Sequence, residues 1–511
     1  MISRLLRIKP MSMLSAEASE QGEHTLKRSL SAMNLIMLGI GAVIGAGIFT
    51  LTGQAAALYA GPAVALSFVV AGLTCAFAGL CYAEFASIIP IAGSAYTYGY
   101  ATLGELVAWI IGWDLCLEYA FGASTVASGW AGYFNSLLQQ FGIVFPPALT
   151  TTTGNVLVRY HGIWIDKMSL PPGVGDAGLP HVTGLFNLIA ALIVLVVTTI
   201  LVIGIKESAN FNSAIVVVKL AIVGIFIAIG GYFLFRHPQV AHRNWSPFIP
   251  PRDASGGFGW RGIPKGASRI FFAYIGFDAV STAAQEARRP QRDMPVGILG
   301  SLGVCTILYI VVSLVLTGLV SYKTLNVSAP VALGIDATGV TWGSLLVKIG
   351  AIFGLATVML VMLLGQTRVF YSMSKDGLFW KWASAVHPRF RTPWITTIVF
   401  GLFAAIMPAI LPIDKLADLV NIGTLLAFTI VSAGVWVLRV RQPELHRPFK
   451  TPLVPLVPIL GVASAVYLMT QLALITWEVM IGWLILGLVI YFGYSLKHSR
   501  VQQLEKMTAA D

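Results

Sequence analysis

Long apolar runs, separated by shorter polar connections, follow one another along most of the chain. A helix needs about 20 consecutive apolar residues to cross the hydrocarbon core of a bilayer, and about twelve runs come close to that length or exceed it. We therefore predict an all-α integral membrane protein with about twelve transmembrane helices. The predicted spans are 34–58, 62–88, 106–138, 183–204, 211–235, 266–286, 296–320, 341–367, 393–411, 415–438, 453–474 and 477–496.

The connections predict how the chain is organised. Two of them are long, at 139–182 and 236–265, and their prolines and glycines favour irregular loops, which we place on the outer side. The others are short, so we expect one helical bundle without a soluble domain. The predicted parts are an N-terminal tail at 1–30, a ten-helix transport core at 31–440, two additional helices at 453–497 and a C-terminal tail at 498–511.

The composition agrees with a membrane protein, because 57% of the 511 residues are hydrophobic and only 11% are charged. With the N-terminus inside, about two thirds of the 33 Lys and Arg fall on the inner side, as the positive-inside rule requires. Both tails are therefore predicted to be cytoplasmic, and no removable signal peptide is recognisable. The net charge of +11 suits contact with anionic lipid, and we expect no nucleic-acid binding.

Residues that form metal and covalent sites are not clustered at depth. All four cysteines (Cys75, Cys81, Cys116 and Cys305) fall inside apolar spans, and the eight histidines lie in loops, tails or at a span edge. This is neither a disulfide framework nor a metal spacing, and no Walker motif indicates ATP as an energy source. We expect no metal, no cofactor, no enzymatic activity and no disulfide-linked partner subunit. The oligomeric state is left open.

Glycine interrupts two spans at matching positions. The first span contains Gly45-Ala46-Gly47, and the sixth, five spans later, contains Tyr274-Ile275-Gly276 near its middle. Paired interruptions of this kind are typical of inverted-repeat secondary transporters, which bind their substrate at the breaks. We therefore predict broken helices 1 and 6 in two five-helix halves, at roughly 31–235 and 266–440.

The breaks also predict a chemistry. Unwound backbone is tolerated in a membrane where it lines a cavity or is buried in protein. N–H groups at the start of the second half-helix of the first span would face an anion such as a carboxylate, and carbonyls freed in the sixth span would accept from an ammonium. The predicted substrate-binding residues are Ile44, Gly45, Ala46, Gly47, Ile48, Phe271, Phe272, Ala273, Tyr274 and Gly276. The alternative, a GxxxG packing face made by Gly41 and Gly45, leaves the break in the sixth span unexplained.

Lys219 lies deep in the predicted fifth span, about 12 Å from its start at 1.5 Å per residue. Ionisable residues at such depth are costly and are functional candidates by default. A buried amine can exchange a proton as its surroundings change, so we predict that Lys219 couples transport to protons. The amine can also occupy the place where a sodium-coupled relative would hold Na⁺. The alternative is that Lys219 snorkels toward the inner headgroups.

Acidic residues occur at depth as well. Asp114 and Glu118 share one helical stripe of the third span, where Glu118 can balance Lys219, receive a cationic substrate side chain, or form a structural pair. Asp114 is a gating or structural candidate. For Asp278, just after the sixth-span break, we expect hydrogen bonds that hold the two half-helices in register. Two further acids lie nearer span ends, where solvated or inner-gate roles are expected: Glu84 and Glu105.

Four stretches, in order along the chain, resemble those of a known family. They are "LKRSLSAMNLIMLGIGAVIGAGIFTLTG" (26–53), "WDLCLEYAFGASTVASGW" (113–130), "FFAYIGFDAVSTAAQEARRPQRDMPVGI" (271–298) and "GQTRVFYSMSKDGLFWKWASAVHPRFRTP" (365–393). They are similar to the amino acid-polyamine-organocation (APC) superfamily, and in particular to bacterial members of its cationic amino acid transporter branch. The similarity covers about 26 to 450, which is most of the chain.

This resemblance implies a LeuT-type 5+5 inverted repeat with two extra C-terminal helices, which carries amino acids by alternating access. It also implies that the Gly45-Ala46-Gly47 region takes the substrate carboxylate and that backbone around Phe271 to Tyr274 takes the amino group. Lys219 matches the fifth-helix lysine that stands in for sodium in proton-coupled members.

Two positions depart from the family's pattern. Gln285-Glu286 stands where paired acids are common, and Asn34 stands where an acidic residue is often found before the first helix. These departures concern the inner gate and leave the expected substrate clamp unchanged.

The expected function is a sodium-independent, proton-coupled amino acid symporter of a bacterial inner membrane. Its partners would be the amino acid, protons and the lipid bilayer. An exchanger of the same fold is the alternative, and a channel is the alternative from another class, although no filter sequence is repeated. For the cargo we favour small or neutral amino acids over arginine or lysine, for which Glu118 is the only well-placed buried acid.

Overall fold

The structure, a computed structural model, describes residues 5–10, 13, 30–89, 94–160, 163–167, 170, 174–176, 178–204, 209–253 and 257–503. Helices lie in each of the twelve predicted spans. The first five spans are Ala32–Val43 with a helical segment at 47–60, Val64–Ile88, Glu105–Gln140, Leu188–Ile203 and Ala209–Arg236. The sixth combines Gly259–Ile270 with the 3₁₀ segments Phe271–Tyr274 and Asp278–Glu286. The last six are Pro290–Leu319, Thr341–Lys375, Trp394–Ile410, Ile413–Arg441, Leu456–Met469 and Leu474–Ile490.

These helices differ in length. Within the described residues, seven helical stretches are long and apolar enough to cross a membrane, the first of them joining the segment at 47–60 to the second span. Four shorter apolar helices account for the first half of span 1 and for spans 4, 9 and 11. The prediction of an all-α membrane protein with broken helices 1 and 6 is confirmed.

The first helix begins with a capping box. The Ser31 hydroxyl accepts from the Asn34 N–H (3.3 Å), and the Asn34 side-chain oxygen accepts from the Ser31 N–H (3.1 Å). Each side chain thereby satisfies a backbone donor that helix geometry leaves unpaired. Asn34, one of the two departures from the family pattern, thus has a structural role at the start of the first span.

Helix contacts repeat at an interval of five spans, which we call the five-step pairing. The second span packs on the seventh, the third on the eighth and the fourth on the ninth. Two further pairs of contacts correspond when five is added to or subtracted from each span number. The third span contacts the tenth, and the eighth contacts the fifth. The first contacts the seventh, and the sixth contacts the second. This pairing is what two five-helix repeats produce. Because five is an odd number of crossings, the two halves run through the membrane in opposite directions.

The first long outer segment is more ordered than predicted. It contains a three-stranded antiparallel sheet of β1 (Val156–Tyr160), β2 (Ile163–Asp166) and β3 (His181–Thr183), in the order β2-β1-β3. Val158 pairs with Ile165 on one side and with His181 on the other. The prediction of an irregular loop is therefore wrong here, because the β-branched residues of β1 and β2 favour strands. The second outer segment includes a short helix, Pro238–Trp245.

Both terminal segments pack at the same end of the bundle. The Lys9 Nζ atom lies 2.8 Å from the Asp376 Oδ1 atom, and the Arg500 N–H donates to the Asp376 carbonyl (3.0 Å). Glu105, at the start of the third span, accepts from the Tyr491 hydroxyl (3.0 Å). The described N- and C-terminal segments thus pack at the same end of the helical bundle.

Two acids that were expected to be solvated or to form the inner gate are fully buried at this end. Glu105 is 0% exposed, and so is Glu84. The Glu84 carboxylate accepts from Arg439 through Nε and Nη2 (both 2.9 Å) and from the Thr451 N–H (2.7 Å). Arg447 Nε lies 3.2 Å from the same carboxylate. Solvation is therefore excluded for both, and Glu84 joins the second span to the tenth and to the connection that follows it.

We expect Glu84→Ala to destabilise the protein by about 3–5 kcal/mol, because it leaves buried arginine charge without its partner. The measurement is thermal unfolding of the purified protein in detergent. Asp176→Ala is the control, since it removes an exposed ion pair with Lys167 and should change stability by less than about 1 kcal/mol. Similar unfolding temperatures for the two variants would contradict the structural role of Glu84.

Candidate functional site

The first span is broken at the predicted glycines. Its first helix ends at Val43, Ile44 is extended (ψ 95°), and a π-helical turn, Gly47–Leu51, begins the second half. The first N–H groups of a helix have no partner within it. The N–H groups of Gly45 to Ile48 therefore form the positive end of the second half-helix, in the interior of the bundle.

The sixth span is broken at the same relative position. Its α-helix tightens into the 3₁₀ turn Phe271–Tyr274, after which Ile275 is extended (ψ 134°) and Gly276 has φ +116°. A positive φ of this kind is readily adopted only by glycine. The carbonyls of Phe271 to Tyr274 lie at the negative end of this first half.

The two breaks touch each other. A Cβ atom on Gly47 would collide with the backbone of Ala273, and one on Gly276 would lie 2.9 Å from the carbonyl of Ala42. Any larger residue at either glycine would therefore push the spans apart. The second half of the first span thus lies directly against the 3₁₀ turn of the sixth.

Lys219 binds the end of the first half-helix. Its Nζ donates to the Gly41 carbonyl (2.8 Å) and lies 3.4 Å from the Ile44 carbonyl, and the residue is 2% exposed. Snorkelling to the headgroups is thereby excluded in this conformation. The amine satisfies carbonyls that the helix end leaves without intrahelical partners, at the negative end of the helix dipole.

A second side chain at this point was not predicted from the sequence. The hydroxyl oxygen of Tyr309, in the seventh span, lies 2.7 Å from the Val43 carbonyl and 2.7 Å from the Ala273 carbonyl. It thereby bridges the ends of both broken helices. In the sequence "CTILYIVV" nothing distinguishes this tyrosine from an aromatic residue that only packs in the core. Its position at the breaks is therefore visible only in the folded structure.

Three buried carboxylates lie in the third span and just after the sixth-span break. Asp278 accepts from the Gly276 N–H (3.2 Å), and its second oxygen lies 3.5 Å from the Tyr119 hydroxyl of the third span. Asp114 and Glu118 are buried, and among the described residues the Asp114 carboxylate has no hydrogen-bond partner. Within the described part of the chain no ion pair joins Glu118 to Lys219, so the expected charge balance between them gains no support.

Polar contacts join the sixth span to the tenth next to the sixth-span break. Arg269, just before the sixth-span break, forms an ion pair with Asp418 of the tenth span (2.5 Å), and its guanidinium lies 5.3 Å from the centre of the Tyr59 ring. Asn421 donates to the Ser268 carbonyl (2.9 Å).

Main-chain contacts hold the other end of the same spans. The Leu30 N–H donates to the Glu286 carbonyl (2.9 Å), and the Arg288 N–H donates to the Leu30 carbonyl (2.9 Å). The residues of both breaks are buried in this structure.

An apolar cavity adjoins the first break. It is lined by aliphatic and aromatic side chains of the first, fifth, seventh and eighth spans and of a short outer helix, among them Ile48, Phe49, Ile222, Val223 and Phe226. The cavity has room for about one water molecule, so in this conformation it is a small packing void.

Within the described residues, no three or more His, Cys, Asp or Glu side chains are grouped so that they could hold a metal ion. The four cysteines are buried and unpaired.

The chain matches the family model described as amino acid permease over residues 30–492. It is 46% identical over 487 residues to the branched-chain amino acid permease BcaP of Bacillus subtilis, covering 95% of this chain and 97% of that one. It is 45% identical over 499 residues to the methylthioribose transporter of the same organism, covering 98% and 99%. It is also 36% identical over 423 residues to the vacuolar cationic amino acid transporter 4 of Arabidopsis thaliana, covering 83% and 65%.

We expect Gly47→Ala to weaken substrate binding tenfold or more and to cost about 1–3 kcal/mol of stability, because its methyl group separates the two breaks. Gly224→Ala is the matched control: it lies in the fifth span, where an added Cβ meets open space. Binding by both variants can be measured by competition against a labelled substrate, alongside thermal unfolding. Wild-type affinity of Gly47→Ala would show that close contact of the breaks is not required.

Proposed function

The chain belongs to the amino acid permease family, and we propose that it is a secondary active transporter of amino acids that works by alternating access, in symport with protons and without sodium. The observation that carries this proposal is the contact between the two helix breaks, with the Lys219 amine on the carbonyls of the first. A membrane transporter of this family needs no enzymatic step.

The breaks supply complementary ends for a zwitterion. The N–H groups of Gly45 to Ile48 bind the substrate carboxylate, as helix N-termini bind anions. The carbonyls of Phe271 to Tyr274 accept from the substrate ammonium. Both helix ends would bind the carboxylate and ammonium groups that all α-amino acids share. The clamp itself therefore does not discriminate among side chains.

Lys219 supplies the coupling to protons. As an ammonium it has three donors and makes charge-assisted bonds to the end of the first half-helix. After losing its proton it holds these carbonyls less strongly, and the first half-helix is freer to move. A proton entering with the substrate would therefore favour the occluded arrangement, and its release inside would favour opening.

The comparison with known proteins supports a neutral, aliphatic cargo, because the relative with 46% identity is named for branched-chain amino acids. Lysine or arginine would instead need a carboxylate beside its side chain, and Glu118 is the available candidate. We place neutral amino acids first and cationic ones second.

An exchanger of the same fold remains the second candidate function. It is favoured by the same Lys219 contacts if the amine keeps its proton throughout the cycle and acts as a fixed structural charge. We place the protein in a bacterial inner membrane with both terminal segments in the cytoplasm, because the positively charged residues cluster on their side.

The deciding experiment is uptake of labelled alanine, leucine, serine, arginine and lysine into proteoliposomes, with an imposed inward proton gradient, with and without sodium. Accumulation driven by the proton gradient alone supports symport and identifies the cargo class. Entry of label only against preloaded amino acid identifies an exchanger.

We expect Lys219→Ala to abolish accumulation driven by a proton gradient, because no titratable donor remains at the end of the first half-helix. Lys348→Ala is the matched control: this lysine is also largely buried, but it binds Gln140 near the outer end of the eighth span. It should retain gradient-driven uptake. If Lys219→Ala accumulates substrate like the wild type, the coupling assignment is wrong.

Glu118→Gln separates side-chain recognition from other roles of this acid. If Glu118 recognises cationic side chains, the variant loses tenfold or more in lysine uptake and retains alanine uptake, since a neutral amide cannot pair with the substrate charge. The measurement is the Km for each amino acid in the same vesicles. Equal losses for lysine and alanine would instead favour a structural or proton-linked role.

A further inference from the structure

The Tyr309 hydroxyl occupies a position that its own hydrogen-bonding capacity cannot satisfy. Its oxygen lies 2.7 Å from two carbonyl oxygens, those of Val43 and Ala273. A tyrosine hydroxyl has one proton to donate, and a carbonyl oxygen has none. At any moment, therefore, one of these two buried carbonyls faces the hydroxyl without a proton between them.

The shortage of donor protons is specific to the Val43 and Ala273 carbonyls. The neighbouring carbonyls at the end of the first half-helix, those of Gly41 and Ile44, face the amine of Lys219. The Val43 carbonyl between them depends on Tyr309. The Tyr309 ring is fixed by Phe68 (5.3 Å between ring centres) and by Tyr274 (5.4 Å), and the side chain is fully buried. Its hydroxyl therefore cannot turn away toward water.

We propose that Tyr309 is a substrate-binding residue that completes the ammonium site. This inference rests on the proposed function. The ammonium donates one hydrogen bond to the Ala273 carbonyl and a second to the lone pairs of the Tyr309 oxygen. The hydroxyl proton is then committed to the Val43 carbonyl, so that both carbonyls have a donor.

The arrangement links the substrate to the first span. Without an ammonium, the hydroxyl proton is shared between the end of the first half-helix and the end of the sixth. With one bound, the proton belongs to Val43, in the same turn that Lys219 holds. Tyr309, in the seventh span, thereby links substrate binding at the sixth-span break to the first-span segment whose carbonyls bind the Lys219 amine.

Tyr309→Phe tests the proposal, because it removes the hydroxyl and retains the ring. The probes are alanine and leucine, each paired with its desamino analogue, propionate or 4-methylpentanoate, as competitors of labelled uptake in proteoliposomes. A hydrogen bond from a charged donor predicts that the variant binds the amino acids about tenfold or more weakly. The desamino acids, which lack the ammonium, should compete equally well with wild type and variant. Tyr98→Phe is the control for losing a buried hydroxyl outside the site.

The outcomes separate the possibilities. Equal weakening of amino acids and desamino acids would indicate a structural role and overturn the proposal, and so would unchanged binding of both. Tighter binding of the amino acids would mean that the hydroxyl competes with the ammonium, which also overturns it. The deciding quantity changes if the desamino acids do not inhibit labelled uptake by the wild type. In that case, a tenfold higher Km of Tyr309→Phe for the amino acids at an unchanged maximal rate supports the proposal, and an unchanged Km overturns it. A wild type that no amino acid inhibits would refute the proposed function itself.

Discussion

The end of the first half-helix is the constraint on which the site depends. A helix that stops inside a membrane protein leaves its last carbonyls without partners, and water is not there to replace them. In this chain Lys219 faces the carbonyls of Gly41 and Ile44, and Tyr309 faces that of Val43. The break is therefore possible only because the fifth and seventh spans bring donors to it. The fold around the proposed site therefore depends on these two donors.

The buried ionisable groups near the breaks fall into two sets. The amine of Lys219 faces backbone carbonyls. Asp114, Glu118 and Asp278 are buried acids, and in the described part of the chain no basic side chain forms an ion pair with any of them. Buried charge of one sign is costly, so three ionised carboxylates at these positions would need a cation nearby.

Much of this could be predicted from the sequence. Apolar runs located the spans because a bilayer demands length and hydrophobicity, and glycine located both breaks because the spans approach too closely for a Cβ at Gly47 or Gly276. Lys219 stood out because a charge at depth is rare. Tyr309 could not be predicted, since a tyrosine in an apolar run is usually a packing residue and its role depends on two carbonyls distant in sequence. The burial of Glu84 likewise depends on Arg439, which is far along the chain, and the outer sheet forms from strands too short to give a clear alternating pattern.

The five-step pairing of the helices has an implication for descent. If the two halves arose by duplication of one ancestral segment, that segment had an odd number of crossings, and its two copies had to insert in opposite directions. An unduplicated ancestor able to form the same contacts would have paired with an inverted copy of itself, so it had to enter the membrane in both orientations. The lysines and arginines that orient the present chain were then acquired, or redistributed, after the two halves were fused.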